Sequence, residues 1–135
     1  MITSPAERIR ALALNAFRIV FGLMFMQHGA QKMFGIFTDQ DPVSLTSLLG
    51  VAGVLEFWGG LLIVVGLLTR TVAFVLAGQM AIAYFRQHFP GGPVPIMNRG
   101  ELAILYCFAF AYMAAHGGGA FSVDGLIDRR RTRAS

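Results

Sequence analysis

From residue 48 to residue 68 the chain is apolar or small at every position except Glu56. Folded as a helix, those 21 residues span roughly 31 Å, the hydrocarbon thickness of a bilayer. Three more runs of similar character lie at 11–33, 72–89 and 100–116. Polar and helix-breaking residues separate them. Ser4-Pro5-Ala6-Glu7 reads as a helix start, with Ser4 as cap, Pro5 in the first turn and Glu7 closing a capping box. Asp41-Pro42 reads as a second start, ahead of Leu48, and Thr69-Arg70-Thr71 as a tight turn. HFPGGPVPIMNRG carries too much Pro and Gly for helix or strand. Asn98 caps the fourth run with Glu101 three residues on, and Gly117-Gly118-Gly119 stops it. FSVDGLID makes at most one short interfacial turn, and RRRTR closes the chain as a basic tail. The expected fold is all-α, a four-transmembrane-helix antiparallel bundle forming a single domain over 1–135.

Composition supports a membrane class. The chain is 56% hydrophobic and 13% charged, where a soluble domain carries about 25% charged residues. Twelve Phe, seven Met and sixteen Gly suit close helix contacts in lipid. Arg18 interrupts the first run about two turns inside the membrane boundary, and is expected to snorkel toward the near surface. With no cleavage site after that run, it is expected to be a retained span rather than a signal peptide.

With four spans, Arg8, Arg10, Arg70, Arg129, Arg130, Arg131 and Arg133 share one side, against Lys32, Arg86 and Arg99 on the other. The positive-inside rule then puts both termini in the cytoplasm. The basic charge is accounted for by topology and contact with membrane lipid, so no nucleic-acid partner is expected. Cys107, the only cysteine, permits neither an intrachain disulfide nor a CxxC site.

The candidate chemistry follows from Glu56. A carboxylate in the hydrocarbon layer costs about 2.5–3.5 kcal/mol even on insertion scales, so it must be paired, neutralised or wet. Small residues near its helical face, Ala52, Gly53, Gly59 and Gly60, turn it toward a neighbouring helix. The topology gathers other ionisable groups at that outer end: His28 and Lys32 from helix one, Arg86 and His88 from helix three, Arg99 and Glu101 from helix four. Structurally, Glu56 pairs with Lys32 or Arg86, or stays protonated against a backbone carbonyl; functionally, it accepts or relays a proton. His28 either pairs with Glu56 or hydrogen-bonds a quinone carbonyl, shuttles a proton or binds metal. His88, beside Pro90, reads first as a surface residue and Glu101 as a capping carboxylate. The Glu-x-x-His pairs of di-iron bundles are absent, so no metal site is expected. No haem or flavin motif, GxGxxG, Walker loop or nucleophile–base signature is present.

The segments FGLMFMQHGAQKMFG, EFWGGLLIVVGLLTR and GELAILYCFAFAYMAAHGGGAFSVD, with TVAFVLAGQMAIAYF less sharply, resemble the DoxX family of small four-helix membrane proteins. The resemblance implies a bacterial cytoplasmic-membrane protein acting as an oxidoreductase, or as a membrane subunit near quinone, thiol or oxidative-stress chemistry. It carries over His28, Gln31, Lys32, Glu56 and Glu101 as a polar set. The lead expectation is an outward-facing polar pocket that binds a quinone-like or other hydrophobic small molecule. Glu56 and His28 are its reacting groups; Lys32, Gln31, Glu101, Tyr84 and His88 contact the substrate. Electrons come from the substrate or a soluble redox partner, and self-association is compatible with the Gly-rich faces. The alternatives are a non-catalytic membrane anchor for a soluble enzyme, or a small proton-coupled transporter.

Overall fold

The computed structural model describes residues 4–134, whose regular elements are all helices, with no strand among the described residues. Helix α1 runs Pro5–Phe34. The Ser4 hydroxyl accepts from the Glu7 amide at 3.2 Å and the Glu7 carboxylate accepts from the Ser4 amide at 3.0 Å, the reciprocal cap read from the sequence. Gly35, at φ 65°, ends the helix.

Helix α2, Leu48–Val65, contains a π-helical turn at Leu55–Gly59. Its cap is Ser47, whose hydroxyl accepts from the Gly50 amide at 3.0 Å, not Asp41. The Val43 amide donates instead to the Lys32 carbonyl at 2.9 Å, so Asp41-Pro42 belongs to a loop folded back on the end of α1.

The α2–α3 turn is made by Gly66 (φ 72°) through Leu68 (φ 52°), and α3 begins at Thr69. Thr69-Arg70-Thr71 is therefore the first turn of a helix, not the connection. Its amides are capped from far along the chain: the Asp124 carboxylate accepts from Leu68 N and Thr69 N, each at 2.8 Å. Helix α3, Thr69–Ala83, continues through a π turn at Tyr84–His88 and a 3-10 turn at Phe89–Gly91. One helical turn, α4 (Pro95–Asn98), forms inside the segment expected to be helix-free. Pro95 opens it, a position where a missing N–H costs nothing.

Helix α5, Glu101–His116, starts from Gly100 rather than Asn98. The Asn98 side chain instead accepts from Gly100 N and donates to the Gly92 carbonyl, both at 2.7 Å, staples within the loop. The expected basic tail is helix α6, Val123–Ala134. The Ser122 hydroxyl accepts from Gly125 N at 3.0 Å, with Asp124 in the first turn and Arg131 and Arg133 in the last, which suits the helix dipole at both ends.

Helices α1 and α2 are long and apolar enough to cross a membrane; α5 is apolar and shorter, at 16 residues. The bundle assembles as two tight pairs, α1 on α2 and α3 on α5. The α1–α2 seam has a repeat. Gly22 and Gly29 of α1 meet Gly60 and Gly53 of α2, seven residues apart in each helix and antiparallel. A methyl on Gly22 or on Gly60 would lie 2.9 Å from the other's carbonyl oxygen, and one on Gly29 would lie 2.7 Å from Gly53 O. Only hydrogen fits where two backbones come this close. Phe25, Ile63, Leu76, Tyr106, Phe110 and Met113 fill the centre. Phe74, Ile82, Phe85, Leu105 and Phe108 are exposed, an outer surface suited to lipid.

Arg18 does not snorkel. It is 1% exposed and holds the termini end of the bundle together. Its guanidinium donates to the carbonyls of Gly118 (3.1 Å), Ile63 (2.5 Å), Phe121 (3.2 Å) and Val64, and to the Asn15 side chain (3.1 Å). The last carbonyls of a helix lack intrahelical donors, and a planar five-donor fork answers several at once. Burial pushes the nearby Asp124 carboxyl up, but the amides of Thr69 and Leu68 and the Arg18 charge outweigh it and hold the group below the usual carboxylate range.

Candidate functional site

Glu56 lies in the π turn of α2 and is 3% exposed. Such turns add a residue to the helical repeat and frequently mark functional positions. Lys32, in the last turn of α1, reaches it because Gly53 has no side chain: a methyl there would lie 2.9 Å from Lys32 Cβ. The lysine stem crosses that gap, and its ammonium pairs with Glu56 Oε2. The other carboxylate oxygen accepts from Gln79 Nε2 of α3 at 3.1 Å, and that same nitrogen lies 3.4 Å from the Ala52 carbonyl. Both oxygens of the buried acid therefore have donors, as a carboxylate at this depth requires.

Two neighbouring polar atoms are left over. Tyr106 of α5 is 2% exposed, lies within electrostatic reach of Glu56, and has no hydrogen-bond partner for its hydroxyl among the described residues. Gln79 Oε1 is likewise buried without a partner. His28, one turn before Lys32, is half-buried and meets the Tyr106 ring edge-on, centroids 5.9 Å apart. Phe25 flanks the same ring at 5.0 Å. The centre thus draws His28 and Lys32 from α1, Glu56 from α2, Gln79 from α3 and Tyr106 from α5. Burying an unpaired hydroxyl or amide oxygen costs about 1–3 kcal/mol each, so two beside a buried acid are a costly arrangement for packing alone.

The remaining candidates lie apart from this centre. Gln31 donates to the Phe37 carbonyl at 3.0 Å and fixes the loop after α1. Tyr84 and His88, in the π turn ending α3, form their own group around Asn98. Asn98 Nδ2 lies 3.4 Å from Tyr84 Oη, His88 Nδ1 lies 3.1 Å from the Asn98 carbonyl, and the two rings stack at 6.3 Å. Glu101 is exposed in the first turn of α5 and makes no hydrogen bond through its side chain among the described residues. Among the described residues no three His, Cys, Asp or Glu side chains converge on a common point.

Gln79 and Tyr106 were not among the sequence-read site residues. Gln79 had a signal, as the lone polar residue in VAFVLAGQMAIA. Tyr106 had none beyond its depth in the fourth run, because an aromatic in an apolar helix reads as core.

The comparisons with known proteins cover the same region. The family model described as DoxX matches residues 13–88, more than half of the 135-residue chain, and includes His28, Lys32, Glu56 and Gln79 but not Tyr106. An uncharacterized protein of Haemophilus influenzae is 40% identical over 135 residues, covering 92% of this chain and 97% of the relative. The inner membrane protein YqjF of Escherichia coli is 33% identical over 133 residues, covering 92% of this chain and 98% of the relative. No solved structure matches. The family match holds four of the five residues of the buried centre and the relatives align along nearly their whole length: the chain belongs to the DoxX family.

Proposed function

We propose that this is a four-span protein of the bacterial inner membrane, both termini cytoplasmic, whose buried acid centre binds a small redox-active hydrophobic molecule of the quinone class and exchanges a proton with it. The observation that carries the reading is the unpartnered pair beside Glu56: a donor, Tyr106 Oη, and an acceptor, Gln79 Oε1. A ring with one oxygen at each edge complements both when reduced, because each hydroxyl can accept and donate; when oxidised, its carbonyls complement Tyr106 alone. In this reading Tyr106 donates to a bound carbonyl and Gln79 accepts from a bound hydroxyl. Glu56 takes or returns the proton, with Lys32 stabilising its charged form and, at 27% side-chain exposure, linking the centre to the surface. His28 orients the ring from the Tyr106 side. The interconversion moves two electrons and two protons: the electrons pass to or from a soluble redox partner at the membrane surface, and Glu56 relays the protons one after the other, exchanging each with water on the Lys32 side.

The span count is supported by α1 and α2, of spanning length, and by α3, whose 15 helical residues are extended by a five-residue π turn. The name of the Escherichia coli relative supports the inner membrane. The side assignment rests on the seven-to-three distribution of Lys and Arg.

The test is purification in mild detergent with native lipid, followed by absorbance and mass spectrometry of the extract. A retained quinone is expected, lost in Glu56→Gln and in His28→Ala while circular dichroism shows the helices intact. Equal retention in both variants would refute the site. A stoichiometric soluble protein with no small molecule would favour an anchor, and proton-coupled uptake into liposomes that disappears in Glu56→Gln would favour a transporter.

A further inference from the structure

At the termini end, far from Glu56, a cleft of about 560 Å³ opens between α1 and α5. It exists because of how the helices pair. With α1 committed to α2 and α3 to α5, the α1–α5 seam is thin there, bridged by Phe17 and Tyr112 edge to face at 6.1 Å. Ala11, Ala13, Gly119 and Ala120 leave the space that larger side chains would fill. Leu14 is buried at its floor. The volume falls within the roughly 300–1,000 Å³ of small-molecule sites.

Arg10 and His116 also line this cleft. Their partners differ from those of Arg18 and Arg70 at the same end. Arg18 is spent on backbone carbonyls, and Arg70 donates to the carbonyls of Ala115 (2.6 Å), His116 (3.3 Å) and Ala114 (3.4 Å), closing the end of α5. Arg10 is exposed and makes no hydrogen bond or ion pair among the described residues. It precedes Leu14 by four positions and Phe17 by seven, so all three share one face of α1. The His116 ring is held flat against Tyr112, centroids 5.5 Å apart and 12° from parallel. The result is an apolar slot beside an unanswered cation and an imidazole.

We propose that this cleft is a binding site for one anionic phospholipid of the leaflet on the termini side, its headgroup phosphate on Arg10 and His116 and an acyl chain against Leu14, Phe17 and Tyr112. The charge and the slot select together. A zwitterionic lipid offers the chain but carries its own cation beside the phosphate, and inorganic phosphate offers the charge without the chain. The site is separate from the Glu56 centre and does not depend on what that centre binds.

The test uses the full chain in detergent micelles, loaded with phosphatidylglycerol or phosphatidylcholine, washed, and weighed by native mass spectrometry. One phosphatidylglycerol per chain is expected to survive washing, and phosphatidylcholine is not. Arg10→Gln should weaken retention about fivefold, the effect of one basic residue at an anionic surface. Ala13→Trp, which fills the slot and leaves Arg10 in place, should abolish it. Millimolar inorganic phosphate should leave it unchanged, and Arg130→Gln on α6 should match the wild type. Retention that survives both Arg10→Gln and Ala13→Trp, falls in Arg130→Gln, is equal for phosphatidylcholine, or is displaced by inorganic phosphate would overturn the proposal. Arg10 and Ala13 are both exposed, so neither variant threatens the fold.

Discussion

Two glycines in this chain should respond to the same substitution with opposite signs. Replacing a mid-helix Gly with Ala ordinarily stabilises by about 0.5–1 kcal/mol, because the unfolded chain loses freedom and the helix gains a better former. Gly78 of α3 has nothing within 4 Å of the position its methyl would take, so Gly78→Ala should realise that gain. Gly29 of α1 has the same intrinsic propensity, but its methyl would strike backbone: Gly53 O at 2.7 Å, Phe57 Cα at 2.8 Å and the Phe57 amide nitrogen. Backbone cannot rotate aside as a side chain can, so α1 and α2 must part. Overpacking of this kind costs about 1–3 kcal/mol, which outweighs the propensity gain and leaves Gly29→Ala less stable by about 0.5–2 kcal/mol. The separation also draws Lys32 away from Glu56, since Gly29 lies one turn before the lysine and faces the helix that carries the acid. Thermal unfolding in detergent, read by circular dichroism, should therefore place the two variants on opposite sides of the wild type. If Gly29→Ala melts at or above Gly78→Ala, the close backbone approach does not hold the two helices, and the placement of Lys32 needs another cause.

Two shorter predictions concern charge. Lys32→Met should destabilise the bundle by about 2–3 kcal/mol, below the 3–5 kcal/mol of a fully buried pair because the lysine is partly exposed. Glu56→Gln in the same chain should recover most of it; additive losses in unfolding titrations would show that the two groups are not coupled. For Asp124 the folded carboxyl titrates below its unfolded value of about 3.9, so its contribution is complete above that value and lost as pH falls through the folded one. Wild-type unfolding midpoints should thus drop toward those of Asp124→Asn below about pH 4 and exceed them at neutral pH. Parallel pH profiles for the two proteins would show that the caps on Leu68 and Thr69 do not depend on the charge.

Much of the architecture was legible because it is written in local chemistry. The Ser4–Glu7 box, the Gly117 stop and the apolar runs are contiguous signals, and each appears in the structure. The pairing of Glu56 with Lys32 was one of several options the sequence allowed, beside Arg86, His28 and a protonated acid on a backbone carbonyl, and depth along antiparallel helices was enough to suggest it. What depth does not supply is rotation about the helix axis. Gln31 and His88 lie near the right level and bond to other neighbours, and Glu101 is exposed, whereas Gln79 and Tyr106 point inward. The cap at Asp41 failed for a related reason: a Pro-containing loop that doubles back on α1 looks, residue by residue, like a helix start. Two π turns, at Leu55–Gly59 and Tyr84–His88, shift the facing of everything beyond them by a fraction of a turn that no regular periodicity anticipates.

The Arg18 contacts set an order of assembly. Its acceptors at Ile63 and Val64 emerge from the ribosome with the second helix, but Gly118 follows Arg18 by 100 residues and Phe121 by 103. Until the last stretch of polypeptide arrives, the first helix carries a cation with part of its fork unsatisfied, and water at the bilayer edge is its nearest substitute. A chain that ends before residue 118 lacks two of the five acceptors of this buried fork, so truncation there should destabilise the whole termini end and not the last helix alone.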